Sequence, residues 1–205
     1  MNISIQHAIK TRTSINNFQP NRTLDKDTIK LLVELATKAP TAYNLQNWRF
    51  IAVCSEESKE LLKTAAFGQD KITDASVNFI ICGTFDAHNQ LHNVLQPSLK
   101  NNIMGNNVVE SWVKQATNAY QDNAILQRDE AIRSASLAAM TLILAAQEMG
   151  LGTCAMGGFD AKQVSQDFEL TVTELPVMIV AVGYATINNW AQKIRKPVTE
   201  VLTIV

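Results

Sequence analysis

The feature that most constrains this 205-residue chain is the stretch 128–149, RDEAIRSASLAAMTLILAAQEM. It holds strong helix formers and no glycine or proline. From Ala135 onward it is apolar on most faces. Such a helix cannot lie on a wet surface and must be buried centrally or at a subunit interface. Its near-apolar run, 135–146, is too short to span a bilayer. A fold built around it needs protein on more than one side.

Three runs have the composition of buried strands: 48–54 (WRFIAVC), 77–84 (VNFIICGT) and 177–183 (VMIVAVG). Helices are predicted between them. Asp25 and Asp27 stand at an N-cap and a first turn, ahead of the stripe Ile29, Leu32, Val33, Leu35 and Ala36, and Pro40 stops that helix. Further helices are predicted over 56–66 and 108–124, the latter carrying Trp112 and Tyr120. Residues 101–107 and the segment HNQLHNVLQP read as polar loops, and 150–158 as a glycine-rich turn region. Helices intermixed with buried strands imply an α+β or α/β sandwich with helices covering a sheet. No repeat or linker divides the chain, so residues 1–205 are expected to form one domain. The apolar tail 198–205 is suited to hiding in a partner subunit.

Hydrophobic residues make up 46% and charged residues 18%, which is globular composition. A formal net charge of −1 gives no general attraction to nucleic acid. No basic amphipathic helix points to a membrane surface. The N-terminal MNISIQHAIKTRTS has no signal-peptide core, so a cytoplasmic protein is expected. Cys54, Cys82 and Cys154 are widely spaced in strand-like surroundings and are expected as buried free thiols.

Several familiar chemistries are excluded. Gly150-Leu-Gly-Thr-Cys-Ala follows a helix, whereas a dinucleotide-binding turn follows a strand and opens a helix. No P-loop and no Gly-x-Ser-x-Gly elbow is present. His88 and His92 have i, i+4 spacing but no third ligand nearby, so both are expected exposed and no metal site is assigned.

Four segments carry more. Arg12 and Ser14 place a cation and a hydroxyl close together near the N-terminus, a pair suited to a phosphate or polyol. Ala39-Pro-Thr-Ala-Tyr-Asn-Leu-Gln-Asn-Trp48 leads from a stopped helix into a strand, and the Asn44 amide can donate and accept toward a pyrimidine edge. The glycines at 157 and 158 permit close approach of backbone to a flat ligand. Lys193, Arg195 and Lys196 precede the tail. Taken singly, each admits a plainer reading: a solvated arginine, a helix-to-strand turn, a capped helix end, a surface charge cluster.

Together, and in this order, the segments resemble the nitroreductase family over nearly the whole chain. The order is Arg12-x-Ser14, then Ala39-Pro-Thr-x-x-Asn44-x-Gln-x-Trp48, Gln69-x-Lys71 ahead of Asp74-Ala-Ser, Gly150-Leu-Gly-Thr-Cys followed by Gly157-Gly-Phe-Asp, Gly183-Tyr184, and Lys193-x-Arg195-x-Pro197. The resemblance implies a three-layer sandwich with a central, mainly antiparallel sheet. It also implies an interlocked homodimer whose tails, about 196–205, extend onto the partner. FMN is the implied cofactor and NAD(P)H the donor. The activity it implies is a ping-pong transfer of electrons to nitroaromatics, quinones or similar small acceptors. By motif, Arg12, Thr13, Ser14, Lys193 and Arg195 are expected to hold the FMN phosphate and ribityl chain. Gln69 and Lys71 are expected at the ribityl and N1/O2 side. Pro40, Thr41, Ala42 and Asn44 are expected from the other subunit, with Ser134 also approaching from it. Ala155, Met156, Gly157 and Gly158 are expected near flavin N5. Asn16 stands where the family often has a cation, and Gly157 where it often has an acid. No side chain is required as acid or base. The rival readings are a flavin-storing or sensing protein without turnover, and a relative with other reductive chemistry such as dehalogenation or flavin destruction.

Overall fold

The computed structural model describes residues 4–205. Four antiparallel strands form the central sheet: β1 (Trp48–Val53), β2 (Val77–Thr84), β3 (Gly152–Met156) and β4 (Glu174–Gly183), in spatial order β1-β2-β4-β3. The nine described α-helices are α1 (Ile5–Thr11), α2 (Lys26–Ala36), α3 (Glu56–Ala65), α4 (Lys71–Asp74), α5 (Leu91–Lys100), α6 (Asn106–Tyr120), α7 (Ala124–Glu148), α8 (Ala161–Asp167) and α9 (Val198–Val201).

Strand alternation sorts the sheet into two faces. From β2, Val77, Phe79 and Ile81 join a core with Leu32 and Ala36 of α2 and Ala135, Ala139, Leu142 and Ala146 of α7. Ile80 and Cys82 point the other way, into a core with Leu62 of α3, Ile72 of α4 and Val164 of α8. The result is a three-layer α/β/α sandwich. A satellite cluster of Leu91, Leu95, Val109, Ala116 and Tyr120 binds α5 to α6.

The predicted N-cap is present: the Asp25 carboxylate accepts from the Thr28 amide at 2.7 Å and from its hydroxyl. The long helix starts earlier than predicted because Asn123 caps it, accepting from the Leu126 amide. Gly83 lets it approach β2; a Cβ there would collide with the Ala131 carbonyl. Leu137 and Met140 on the outer side of α7 remain about 40% exposed. No described helix is long and apolar enough to cross a membrane.

Five expectations are corrected. Residues 152–156 are an edge strand, because their backbone pairs with β4 despite the flanking glycines. The segment HNQLHNVLQP is a 3-10 turn followed by α5, held by the burial of Leu91 and Leu95. α6 ends at Tyr120 rather than 124, where the left-handed backbone of Asp122 turns the chain. His88 is buried, packed 6.2 Å from the Tyr120 ring, while His92 is exposed and paired with Gln96. Cys54 lies just past the end of β1 and is exposed; Cys82 and Cys154 are buried, and all three thiols are free.

Candidate functional site

The site is assembled where the segment after α1 meets the free edge of β3. Ser14 bridges Thr153 in parallel, and the Ile15 amide donates to the Thr153 carbonyl at 2.9 Å. Gly152 permits this approach, since a Cβ would sit 2.7 Å from the Ile15 side chain. The chain after β4 then runs back along the same segment: Gln19 donates to the Tyr184 carbonyl and Thr186 to that of Asn17. Gln192 donates to the Arg12 carbonyl at 3.0 Å. Lys193 and Arg195 are thereby carried to the N-terminal motif.

The outcome is one crevice lined by Arg12, Thr13, Ser14, Ala191, Gln192, Lys193 and Arg195. Cations and hydroxyls face it, and no acidic side chain lines it. The Arg12 Nε is buried without a hydrogen-bond partner, a donor left for an anion. Lys193 also stands 4.5 Å from the Trp190 ring centroid.

Next to this crevice lie the residues of the Gln69-x-Lys71 motif. Lys71 opens α4, and its ammonium donates to the Asn16 amide oxygen at 2.9 Å and lies 3.9 Å from the Cys154 sulfur. Burial pushes the Cys154 thiol up, against the opposing pull of Lys71, Lys193 and Arg12. One buried sulfur thus senses cations from three separate motifs. Gln69 spends its amide nitrogen on the carbonyls of Ala66 and Gly158, leaving its oxygen as an acceptor. Gly157 has open space where a side chain would stand, with nothing within 4 Å of an added Cβ. Ala155 is exposed on the β3 edge.

The model of the nitroreductase family matches this chain over residues 9–184. The chain belongs to the nitroreductase family. YodC of Bacillus subtilis, provisionally named an NAD(P)H nitroreductase, is 34% identical over 195 residues, covering 95% of this chain and 96% of its own. The crystal structure of YdfN from Bacillus subtilis, provisionally named a nitroreductase, superposes with a TM-score of 0.91 at 30% identity, covering 98% of each chain. A nitroreductase-like protein from Exiguobacterium sibiricum, crystallised in complex with FMN, gives a TM-score of 0.91 at 26% identity, covering 99% of this chain and 98% of its own.

Within this nitroreductase-family chain, one expected site residue, Ser134, is withdrawn from the surface. Ser134 is fully buried and donates to the Glu130 carboxylate in its own helix, so it has no surface to offer a ligand. The Met156 side chain packs in the same core cluster as Cys154, so any contact from this position falls to its backbone.

The loop carrying Pro40, Thr41, Ala42 and Asn44 is separate again. It packs on the α5–α6 cluster, and Trp48 just after it pairs with Gly83 at the far end of β2 from α4. At ~3.4 Å per residue, the length of β2 puts the loop and Lys71 on the order of 20 Å apart. Tyr43, Asn44 and Gln46 all hold positive φ (50°, 59° and 49°), a costly conformation for non-glycine residues. Thr41 staples the loop by accepting from the Gln46 amide, and Tyr43 stacks edge-on to Trp112 and Tyr120. Asn44 is exposed at its tip.

Sequence reading missed Asn189 and Gln192. Both are amides in an irregular arm, and nothing in local pattern marks them. Among the described residues, no cluster of three or more histidine, cysteine, aspartate or glutamate side chains is arranged to hold a metal.

Proposed function

We propose that this chain is an FMN-dependent oxidoreductase that passes electrons from NAD(P)H to nitroaromatics, quinones or similar small acceptors by a ping-pong mechanism. The observation that carries the reading is the anion crevice of Arg12, Ser14, Lys193 and Arg195, with Lys71 bonded to Asn16 two residues beyond Ser14. An FMN phosphate brings a charge of about −1.5 to −2, and each charge-assisted hydrogen bond to it is worth roughly 1.5–3 kcal/mol. The unpartnered Arg12 Nε and the acid-free lining fit that group. YodC's name specifies NAD(P)H, and the Exiguobacterium relative binds FMN, which favours the same pair here.

Bound FMN would supply hydride acceptance from NAD(P)H and its return to an acceptor. The protein's part is binding, orientation and charge. Arg12, Thr13, Ser14, Lys193 and Arg195 would hold the phosphate and ribityl chain. The Gln69 oxygen would accept from a ribityl hydroxyl. Lys71 would face the N1/O2 edge, where negative charge gathers on reduction. Ala155, Gly157 and Gly158, with the Met156 backbone, would lie near N5 and leave one ring face open for stacking. Asn16 would contribute through Lys71 rather than as a cation.

The assembly in this reading is a homodimer. The 40–44 loop is too far from its own crevice to serve it, and it is preformed for a partner's. The arm leaves Val198, Val201, Leu202, Ile204 and Val205 between 54% and fully exposed, side chains that a partner surface would cover. A cytoplasmic location, with its supply of NAD(P)H, belongs to the same reading.

The test is steady-state oxidation of NADH and NADPH by the purified protein with menadione or nitrofurazone. Turnover dependent on FMN supports the reading. Tight FMN binding without turnover would make this a storage or sensing protein.

A further inference from the structure

We infer that Asn189 is a positioning residue for Lys71, acting through Asn16, and so sets the charge felt by the reduced cofactor; the inference rests on the FMN reading. The Asn189 carboxamide has no hydrogen bond to Lys71; its partners are the turn at 16–17 and Thr186. Its amide oxygen accepts from the backbone N–H groups of both Asn16 (2.8 Å) and Asn17 (3.0 Å). Its amide nitrogen donates to the carbonyls of Asn17 (2.9 Å) and Thr186 (3.1 Å). One half-buried carboxamide therefore fixes the turn at 16–17 from both sides. Asn16, held there, presents its own amide oxygen to the Lys71 ammonium at 2.9 Å.

The chemistry of this relay is specific. A lysine side chain is long, and holding its head in one place costs rotamer entropy that an acceptor must offset. A carboxylate at 16 would hold it but cancel its charge. A cation at 16 would repel it. A neutral amide holds the ammonium and leaves its full charge, with at least one N–H donor free, for the ligand. Asn16 performs this only if its backbone is fixed, and Asn189 supplies that fixing from the arm. Gln192 offers an internal contrast. It ties the same arm to Ile9 and Arg12 and has no hydrogen bond to Asn16.

The experiment is anaerobic spectroelectrochemical titration of FMN bound to the dimer, with dissociation constants for oxidised FMN measured alongside. Wild type, Asn189→Ala, Asn16→Ala, the double variant and Gln192→Ala are compared. Asn189→Ala should weaken reduced FMN about tenfold more than oxidised FMN, a fall in midpoint potential of about 30 mV for a two-electron couple. Asn16→Ala should do the same. The double variant should fall no further than Asn16→Ala alone, because the two residues form one path. Gln192→Ala, which loosens the arm at the phosphate crevice without touching Asn16, should weaken oxidised and reduced FMN equally and so leave the potential where it is. An unchanged potential in Asn189→Ala, with both redox forms weakened equally, would make Asn189 a general brace and overturn the inference. Additive shifts in the double variant would overturn it too. A wild-type protein that binds no flavin would overturn the cofactor reading itself, a result distinct from the other two.

Discussion

Gln69 donates from its amide nitrogen to the carbonyl of Gly158 across 3.0 Å, joining the loop before α4 to the turn after β3. Two motifs nearly ninety positions apart in sequence are thus closed into one rim, and the bond fixes which end of the Gln69 amide faces the site. Gly158 itself has only the Gln69 amide nitrogen near an added Cβ, at 3.9 Å. The rim is made of backbone and one committed side chain. In the FMN reading proposed above, this rim would serve close approach to a flat ligand.

The phosphate assignment predicts a selective loss. Arg12→Ala or Arg195→Ala should weaken FMN binding by about 1.5–3 kcal/mol, ten- to a hundredfold, while riboflavin binding barely changes. Isothermal titration of both ligands into the apoprotein checks this. Equal losses for the two would give these cations another task.

Gly157 gives a test of the reacting centre. Hydride transfer needs the nicotinamide carbon about 3–3.5 Å from flavin N5. A side chain at 157 meets no protein atom, so Gly157→Val should fold normally, retain FMN and slow stopped-flow flavin reduction strongly by filling that space. Normal reduction would show that the open face lies elsewhere. His92→Ala, at an exposed helix position, should leave reduction unchanged, whereas His88→Ala should lower stability because its ring is buried against Tyr120.

Much of this was legible in the sequence, for physical reasons. β1, β2 and β4 each carry a mostly apolar run, and α2 has its cap and stripe. β3 escaped because five residues between glycines carry little pattern, and its identity as a strand comes from pairing with β4. α5 escaped because only Leu91 and Leu95 of a polar segment are buried. Arg12, Lys71 and Lys193 were nameable from motif order, but the approach of Lys71 to Cys154 on β3 is a tertiary fact. Ser134 misled because a serine in a long helix looks the same in sequence whether it faces a ligand or its own Glu130.

The exposed apolar arm and the outer face of α7 predict an obligate dimer. Light scattering at micromolar protein should give twice the chain mass, and removal of residues 196–205 should reduce dimer stability and FMN retention together. A monomer that retains FMN would contradict the shared-site arrangement.

Tyr120 gives a pH prediction. Burial, and then the Glu130 carboxylate, push its phenol up to about 12 from an ordinary value of 10. The folded state therefore holds the proton more tightly than the unfolded one. That contribution is complete below pH 10 and is lost as pH rises toward 12. Urea midpoints across this range should fall less steeply for Tyr120→Phe than for wild type. Parallel slopes would mean the phenol is not shielded as described.

The visible spectrum of the purified protein is the decisive measurement for bound FMN and its reduction. It should show the twin absorption bands of oxidised flavin, one flavin per chain, released as FMN on denaturation and bleached anaerobically by NADH or NADPH. A colourless protein that takes up no FMN when it is supplied, or a bound flavin that neither nucleotide can reduce, would contradict the FMN reading.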